Sequence, residues 1–293
     1  MKSPRKIAGI VIGIIIVCGI AGALAIHATS SKSKNARIVA TTYGIVQITN
    51  RLKLPLVGVP TTANKMPARY KNVKRIGSPM SPSAEKIAST HPTTVYAVSV
   101  LKDQFGKSFK QQHIKPHFLS LQSVANLKST LTQMGNQYDR KSEAKSAVSE
   151  INQAETKAKN RAAGKTKPRV LVLMGLPGAG YMICTNKSYV GDLVRLAGGN
   201  NVFSSKTQSY VQPSDEAIAK AKPQVILRLE HAMPTMVTEQ FNTEFKQQSF
   251  WKQTPAVQQK RVYDLQEPNF DATANMHAAK ALGLVSNWLY PAK

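Results

Sequence analysis

Pro82-Ser83-Ala84-Glu85-Lys86-Ile87-Ala88-Ser89-Thr90-His91-Pro92 and Pro213-Ser214-Asp215-Glu216-Ala217-Ile218-Ala219-Lys220-Ala221-Lys222-Pro223 match at six of eleven positions without a gap. Each runs on into an apolar stretch, Val95–Val98 after the first and Val225–Leu229 after the second. Proline is tolerated in the first helical turn because the N–H it lacks has no partner there. A following proline pushes the residue before it out of helical geometry. Each copy therefore predicts a short helix opened by proline, a proline stop and a buried strand. The same αβ unit at matching places in two halves predicts two similar lobes with a cleft between them.

The chain has 293 residues, more than the roughly 100–200 usual for one domain, which suits two lobes. Hydrophobic residues make up 42% of it, enough to fill real cores, and the formal net charge is +25. The first 36 residues supply five of those charges and contain no acid, leaving +20 on the rest. Such an excess fits polyanionic surroundings: nucleic acid, anionic lipid or an acidic wall polymer.

The N-terminus narrows that choice. Lys2, Arg5 and Lys6 precede the apolar run Ile7–Ile26, the pattern of an export signal that is also long enough to span a bilayer uncut. Basic residues on the inner side and a translocated body agree with the usual orientation bias. The body is thus expected outside the cytoplasm, beside an anionic membrane or wall surface, and nucleic acid is excluded as a partner. Only Cys18 and Cys184 exist, and Cys18 lies within the signal, so no disulfide framework is available. Ile15-Ile16-Val17-Cys18-Gly19 loosely resembles a lipid-attachment box, with Val17 where a small residue belongs. Lipidation of Cys18, an uncleaved helical anchor and cleavage near Ala23-Leu24-Ala25 all remain open.

The segments follow in order: residues 1–28 as signal or membrane anchor, 29–36 as linker, 37–139 as an N-terminal α/β lobe, 140–164 as a connecting helix and 165–293 as a C-terminal α/β lobe. Strand and helix patterns alternate in both lobes, which predicts mostly parallel sheets. From Arg140 to Ala163 neither proline nor glycine interrupts a run of helix formers, and Ala144, Val148, Ile151 and Ala158 form one stripe. One long helix between the lobes is a stiff connector. The fold class expected is α/β, two Rossmann-like lobes joined by a backbone helix.

Little in the chain points to catalysis. Gly175-Leu176-Pro177-Gly178-Ala179-Gly180-Tyr181 follows a strand but lacks the Lys-Ser/Thr of a phosphate loop and the spacing of a dinucleotide fingerprint. It reads as a turn whose glycines let backbone approach a ligand closely. The six histidines form no zinc-binding cluster, and no nucleophile elbow is present. His231 stands out by position, just beyond the second echo strand, because ligands of parallel sheets sit outside the carboxyl ends of strands. Met80, in a proline-flanked polar loop before the first echo, is its counterpart.

Six stretches carry a resemblance. Pro55–Pro60, Gly77–Pro82, Leu173–Gly178, Ser188–Val194, Ala197–Val202 and Ile226–Pro234 are similar to the haem-binding lipoproteins of the iron-regulated surface determinant system. Those are helical-backbone (class III) solute-binding proteins of ABC importers. The resemblance covers roughly residues 36–290, nearly the whole exported body. It implies the class III periplasmic-binding-protein fold, no enzymatic activity, and haem as the transported ligand, its iron held by Met80 from one lobe and His231 from the other. A thioether and a neutral imidazole are a known axial pair for haem iron. It also implies that Glu85 and Glu216, the matched echo acids, dock onto a membrane permease, and that haem arrives from upstream cell-surface haem-transfer proteins. Thr42-Tyr43-Gly44, opening a helix after the first strand, is one site for a haem propionate. The alternatives are a siderophore or cobalamin receptor of the same fold, a wall-associated structural or adhesive protein, and, more remotely, an exported metal-dependent enzyme.

Overall fold

The computed structural model describes residues 35–292 except Ala232; the apolar N-terminal segment with Cys18 lies outside the described residues. The N-terminal half opens with β1 (Ile38–Ala40), α1 (Tyr43–Arg51), β2 (Leu56–Val59), β3 (Lys74–Arg75), β4 (Gly77–Ser78) and β5 (Ser81–Pro82). It continues with α2 (Ala84–Ala88), β6 (Thr94–Val98), α3 (Lys102–Gln111), β7 (Pro116–Leu119) and α4 (Val124–Gln137). Strands run β3-β2-β1-β6-β7, every pair parallel, and β4 and β5 form a separate two-residue hairpin. Side chains alternate across this sheet. Ile38, Ala40, Tyr96 and Val98 pack on α1 and α4, whereas Val39, Val95 and Ala97 pack on α2 and α3.

After α5 (Lys141–Ala162) come β8 (Arg169–Gly175), β9 (Tyr181–Cys184), α6 (Tyr189–Leu196), β10 (Asn200–Asn201), β11 (Tyr210–Val211), α7 (Asp215–Ala221) and β12 (Val225–Leu229). The chain ends with α8 (Pro234–Gln247), α9 (Ser249–Gln253), α10 (Pro255–Gln258), β13 (Val262–Leu265) and α11 (Ala278–Leu289). The second sheet runs β11-β9-β8-β12-β13, with β10 also on β8. It is mixed: β8, β10, β12 and β13 are parallel, β9 runs antiparallel to β8, and β11 pairs antiparallel with β9. The glycine-rich turn after β8 closes the β8–β9 hairpin, with Gly178 and Gly180 at positive φ. Gln240 of α8 bonds both Gly178 N–H and the Gly180 carbonyl, so the turn is held by the protein itself.

The echoed phrase folds as two equivalent short helices, but proline does not open them. Ser83 and Ser214 are the caps, accepting hydrogen bonds from Lys86 N–H (3.2 Å) and Ala217 N–H (3.3 Å). A serine oxygen that takes an orphan N–H at the third helical position outweighs the neutral tolerance of proline. Pro82 and Pro213 therefore stand one residue before each cap. Glu85 and Glu216 become the second helical residues.

The helix α5 has 22 residues, about 33 Å at 1.5 Å per residue. It packs against α4 in one half and α11 in the other. Its buried positions are Ala144, Ala147, Ile151 and Ala158, so the facing helices come close: a methyl on Gly135 of α4 would lie 2.5 Å from Ala144 Cβ. Ion pairs to Arg51, Lys53 (3.4 Å) and Lys128 (2.8 Å) fix Glu150, Glu143 and Glu155 on its flank. One apolar core extends from β1 and α1 through α5 to β8, α6 and α11. None of the described helices is long and apolar enough to cross a membrane.

The start of α6 is a sensitive point. Ser188 caps Gly191 N–H at 3.0 Å, and a Cβ on Gly191 would stand 2.0 Å from the Thr185 carbonyl oxygen. Gly191→Ala is expected to cost about 1–3 kcal/mol as overpacking, seen as a fall of several degrees in Tm by calorimetry with the helical content of the folded state unchanged.

Candidate functional site

Met80 sits at the tip of the β4–β5 hairpin. Gly77 makes that tip possible: its φ is +105°, and a side chain there would meet the Ser81 carbonyl at 2.8 Å. Ser78 Oγ accepts Ser81 N–H at 3.1 Å, and Gln104 of α3 donates to the Met80 carbonyl at 2.6 Å. The backbone is thereby clamped while the residue remains 54% exposed. A thioether this exposed contributes little to a core and is open to a ligand.

His231 lies two residues beyond the end of β12, and the pairing of β12 with β13 decides what it meets. Leu229 stands opposite Leu265. One pair earlier, Arg228 lies opposite Asp264 and binds its carboxylate with Nε and an Nη at 2.6 and 2.8 Å. Asn242 and the rings of Phe241 and Phe245 complete the guanidinium's surroundings. The two strand ends are thus pinned, and the loops leaving them carry His231 and Asp271 to each other. His231 Nδ1 is 3.6 Å from Asp271 Oδ1, an ion-pair distance too long for a hydrogen bond. Nδ1 is buried at that contact. Asp271 raises the imidazole above its ordinary pKa, burial opposes it, and Glu267 adds to the rise. Next to the histidine, Glu230 is buried, with one oxygen bonded by the Thr238 hydroxyl.

Thr42, Tyr43 and Gly44 open α1. Thr42 Oγ1 caps Ile45 N–H at 3.4 Å, and the Tyr43 hydroxyl donates to the Lys65 carbonyl at 2.8 Å. Tyr43 and Gly44 share a small pocket with Gln47 and Asn64 and with Glu267, Phe270 and Asp271 of the loop after β13. Asn64 donates to Glu267 at 2.7 Å, and Met276 N–H donates to Gln47 at 3.2 Å. The pocket therefore lies between the two halves, and through Asp271 it adjoins His231.

Glu85 and Glu216 are exposed on the first turns of α2 and α7. Among the described residues neither carboxylate has an ion-pair partner. No group of three or more His, Cys, Asp or Glu side chains among the described residues could hold a metal ion. Cys184 is buried, and burial pushes its thiol up to about 12, which makes it inert.

Two features escape a reading of sequence alone. Asp271, in Pro268-Asn269-Phe270-Asp271, backs the histidine; its signal was its place in a loop leaving a strand's carboxyl end. Met233 and Met236 are 59% and 45% exposed, so methionines are three of the four exposed large apolar residues among those described. Both lie within five residues of His231. Replacing Asp271→Asn should lower the His231 pKa toward its ordinary value, read by NMR titration of the ring protons without ligand.

Comparison with known proteins agrees with this architecture. The family model described as Periplasmic binding protein matches residues 38–268. The high-affinity heme uptake system protein IsdE of Staphylococcus aureus (strain Newman) is 41% identical over 265 residues, covering 90% of each chain. The crystal structure of S. aureus IsdE complexed with heme is similar with a TM-score of 0.83 at 40% identity, covering 87% of this chain and 99% of that one. An ABC transporter substrate-binding protein from Listeria monocytogenes EGD-e is 38% identical, with a TM-score of 0.81 over 88% of this chain and 99% of that one. With its two lobes of mostly parallel sheet and one long connecting helix, the chain belongs to the periplasmic binding protein family, class III fold, among the IsdE-like solute-binding proteins of ABC importers, which bind rather than catalyse.

Proposed function

We propose that this protein is a haem receptor on the outer face of the cytoplasmic membrane, which binds haem between its lobes and passes it to an ABC permease. The observations that support the reading are an exposed thioether, Met80, in one half and, in the other, a histidine, His231, whose Nδ1 lies 3.6 Å from the Asp271 carboxylate. The similarity to a structure that holds heme supports it. A carboxylate behind the non-ligating nitrogen orients the ring and makes the other nitrogen a better donor to iron. Met80 comes from the lobe spanning 37–139 and His231 from that spanning 165–293, with 140–164 between them. Residues 1–28 hold the body at the membrane, by lipid on Cys18 or by an uncleaved helix, and surface haem-transfer proteins supply the ligand. The N-terminal end of α1, at Thr42-Tyr43-Gly44, offers backbone N–H groups to a propionate, which Glu267 and Asp271 on the same pocket partly oppose.

Purified protein mixed with haem should develop the Soret band of a six-coordinate complex. His231→Ala and Met80→Ala should each shift that band and speed haem loss, by about tenfold or more for the histidine, by analogy with the cost of disturbing a metal ligand. Unchanged spectra and affinity in both variants would sink the axial assignment.

Glu85 and Glu216 are proposed to meet arginines of the permease, one from each lobe. Their exposure without an ion-pair partner supports this. Cells carrying Glu85→Ala with Glu216→Ala should import haem no better than cells lacking the protein, while the purified variant still binds haem. Normal import would exclude the docking role.

A further inference from the structure

One face of the N-terminal sheet, covered by α2 and α3, carries charge of both signs. α2 presents Glu85; α3 beside it is basic. Lys107 and Lys110 of α3, and His113 and Lys115 of the connection to β7, are exposed, opposed only by Asp103. None of these three lysines is ion-paired to a described residue. They rim a groove of about 670 Å³ between α3 and β7, the outer strand of the sheet. The groove has an apolar floor that includes Phe109 and Phe118. Its wall is open at Gly106, where an added side chain would meet nothing within 4 Å.

Ammonium groups on flexible stems around an apolar floor match the bilayer interface, where phosphates overlie the first methylenes of the acyl chains. A soluble acidic polymer would satisfy the lysines and leave the floor uncovered. The chain before the fold favours the bilayer too. Between the apolar run ending at Ile26 and the first core residue, Ala36, the ten residues 27–36 can span at most about 35 Å. An uncleaved N-terminal run therefore keeps this lobe close to lipid, and from a lipidated Cys18 the eighteen residues 19–36 reach at most about 65 Å.

We propose that the α3–β7 groove docks the N-terminal lobe onto anionic phospholipid headgroups. Glu85 on α2 then faces the permease while the neighbouring α3 lysines rest on the lipid around it. The permease half of this picture rests on the receptor function proposed above; the lipid half stands on the groove alone.

The test uses a soluble form starting at residue 29, which keeps every described element, and vesicles of phosphatidylglycerol with phosphatidylcholine or of phosphatidylcholine only. The protein should sediment with the anionic vesicles, not the neutral ones, and added salt should release it. A lysine at an anionic surface is worth about fivefold in partitioning. Lys107→Glu, Lys110→Glu and Lys115→Glu together should thus lower binding by about a hundredfold at least, with the Soret band after haem addition unchanged. Reversal of three exposed lysines elsewhere, Lys157→Glu, Lys159→Glu and Lys252→Glu, alters net charge equally and should weaken binding far less. Equal losses in the two triple variants, or no preference for anionic vesicles, overturn the inference. A protein that fails to take up haem yet binds anionic vesicles through these lysines overturns the receptor reading and leaves this one standing.

Discussion

The packing of α5 against helices of both halves is the constraint on which the rest depends. A site whose ligands come from two lobes exists only while the lobes keep their relative placement. A flexible linker would leave the proposed ligands, Met80 and His231, to find each other in every binding event, at an entropic cost that grows with the freedom of the lobes. Here α5 is buried along alanines against α4 on one side and α11 on the other. Small side chains let helices approach closely, and close packing resists sliding. The apolar core continues through the helix from one sheet to the other. Large hinge motion would have to open that core.

Within that frame, the two halves place the proposed ligands by different means. Met80 is placed locally, by a hairpin of two-residue strands that needs Gly77 at positive φ and a bond from Gln104. His231 is placed by long-range register. Arg228 and Asp264 lock β12 to β13 just before the strands end, and two aromatic rings cover the buried guanidinium while the carboxylate stays partly exposed. A buried ion pair is weak evidence of stability but a good device for specifying one arrangement. Here the arrangement specified is the meeting of His231 with Asp271.

The charge of the chain is divided in the same spirit. Acids are scarce, and several stand at the carboxyl ends of strands or the first turns of helices near them: Glu85, Asp215, Glu216, Glu230, Glu267 and Asp271. The acids on α5 are all occupied by cations of α1 and α4 or the turn after α1. The lysine excess is left to the outside. A strongly basic body with a few exposed acids suits a protein working at an anionic surface and meeting a cationic partner.

The sequence by itself determined the two-lobed α/β architecture, the position of the long helix and the equivalence of Glu85 and Glu216. Those follow from short-range signals: apolar periodicity, proline stops, a recurring phrase. The roles proposed for Met80 and His231 rest on motif resemblance, not on spacing. Serine rather than proline at the helix caps, the hairpins at β4–β5 and β8–β9, and α3 with its glycine and lysines around Phe105 and Phe109 were not legible. The two-residue strands β4 and β5 and the lysine-rich α3 carry too few apolar residues to show a period, and their stability comes from what they pack on. The meeting of His231 with Asp271, forty residues apart in the chain, was decided only by the tertiary structure, because strand register is set by the whole sheet and its buried ion pair.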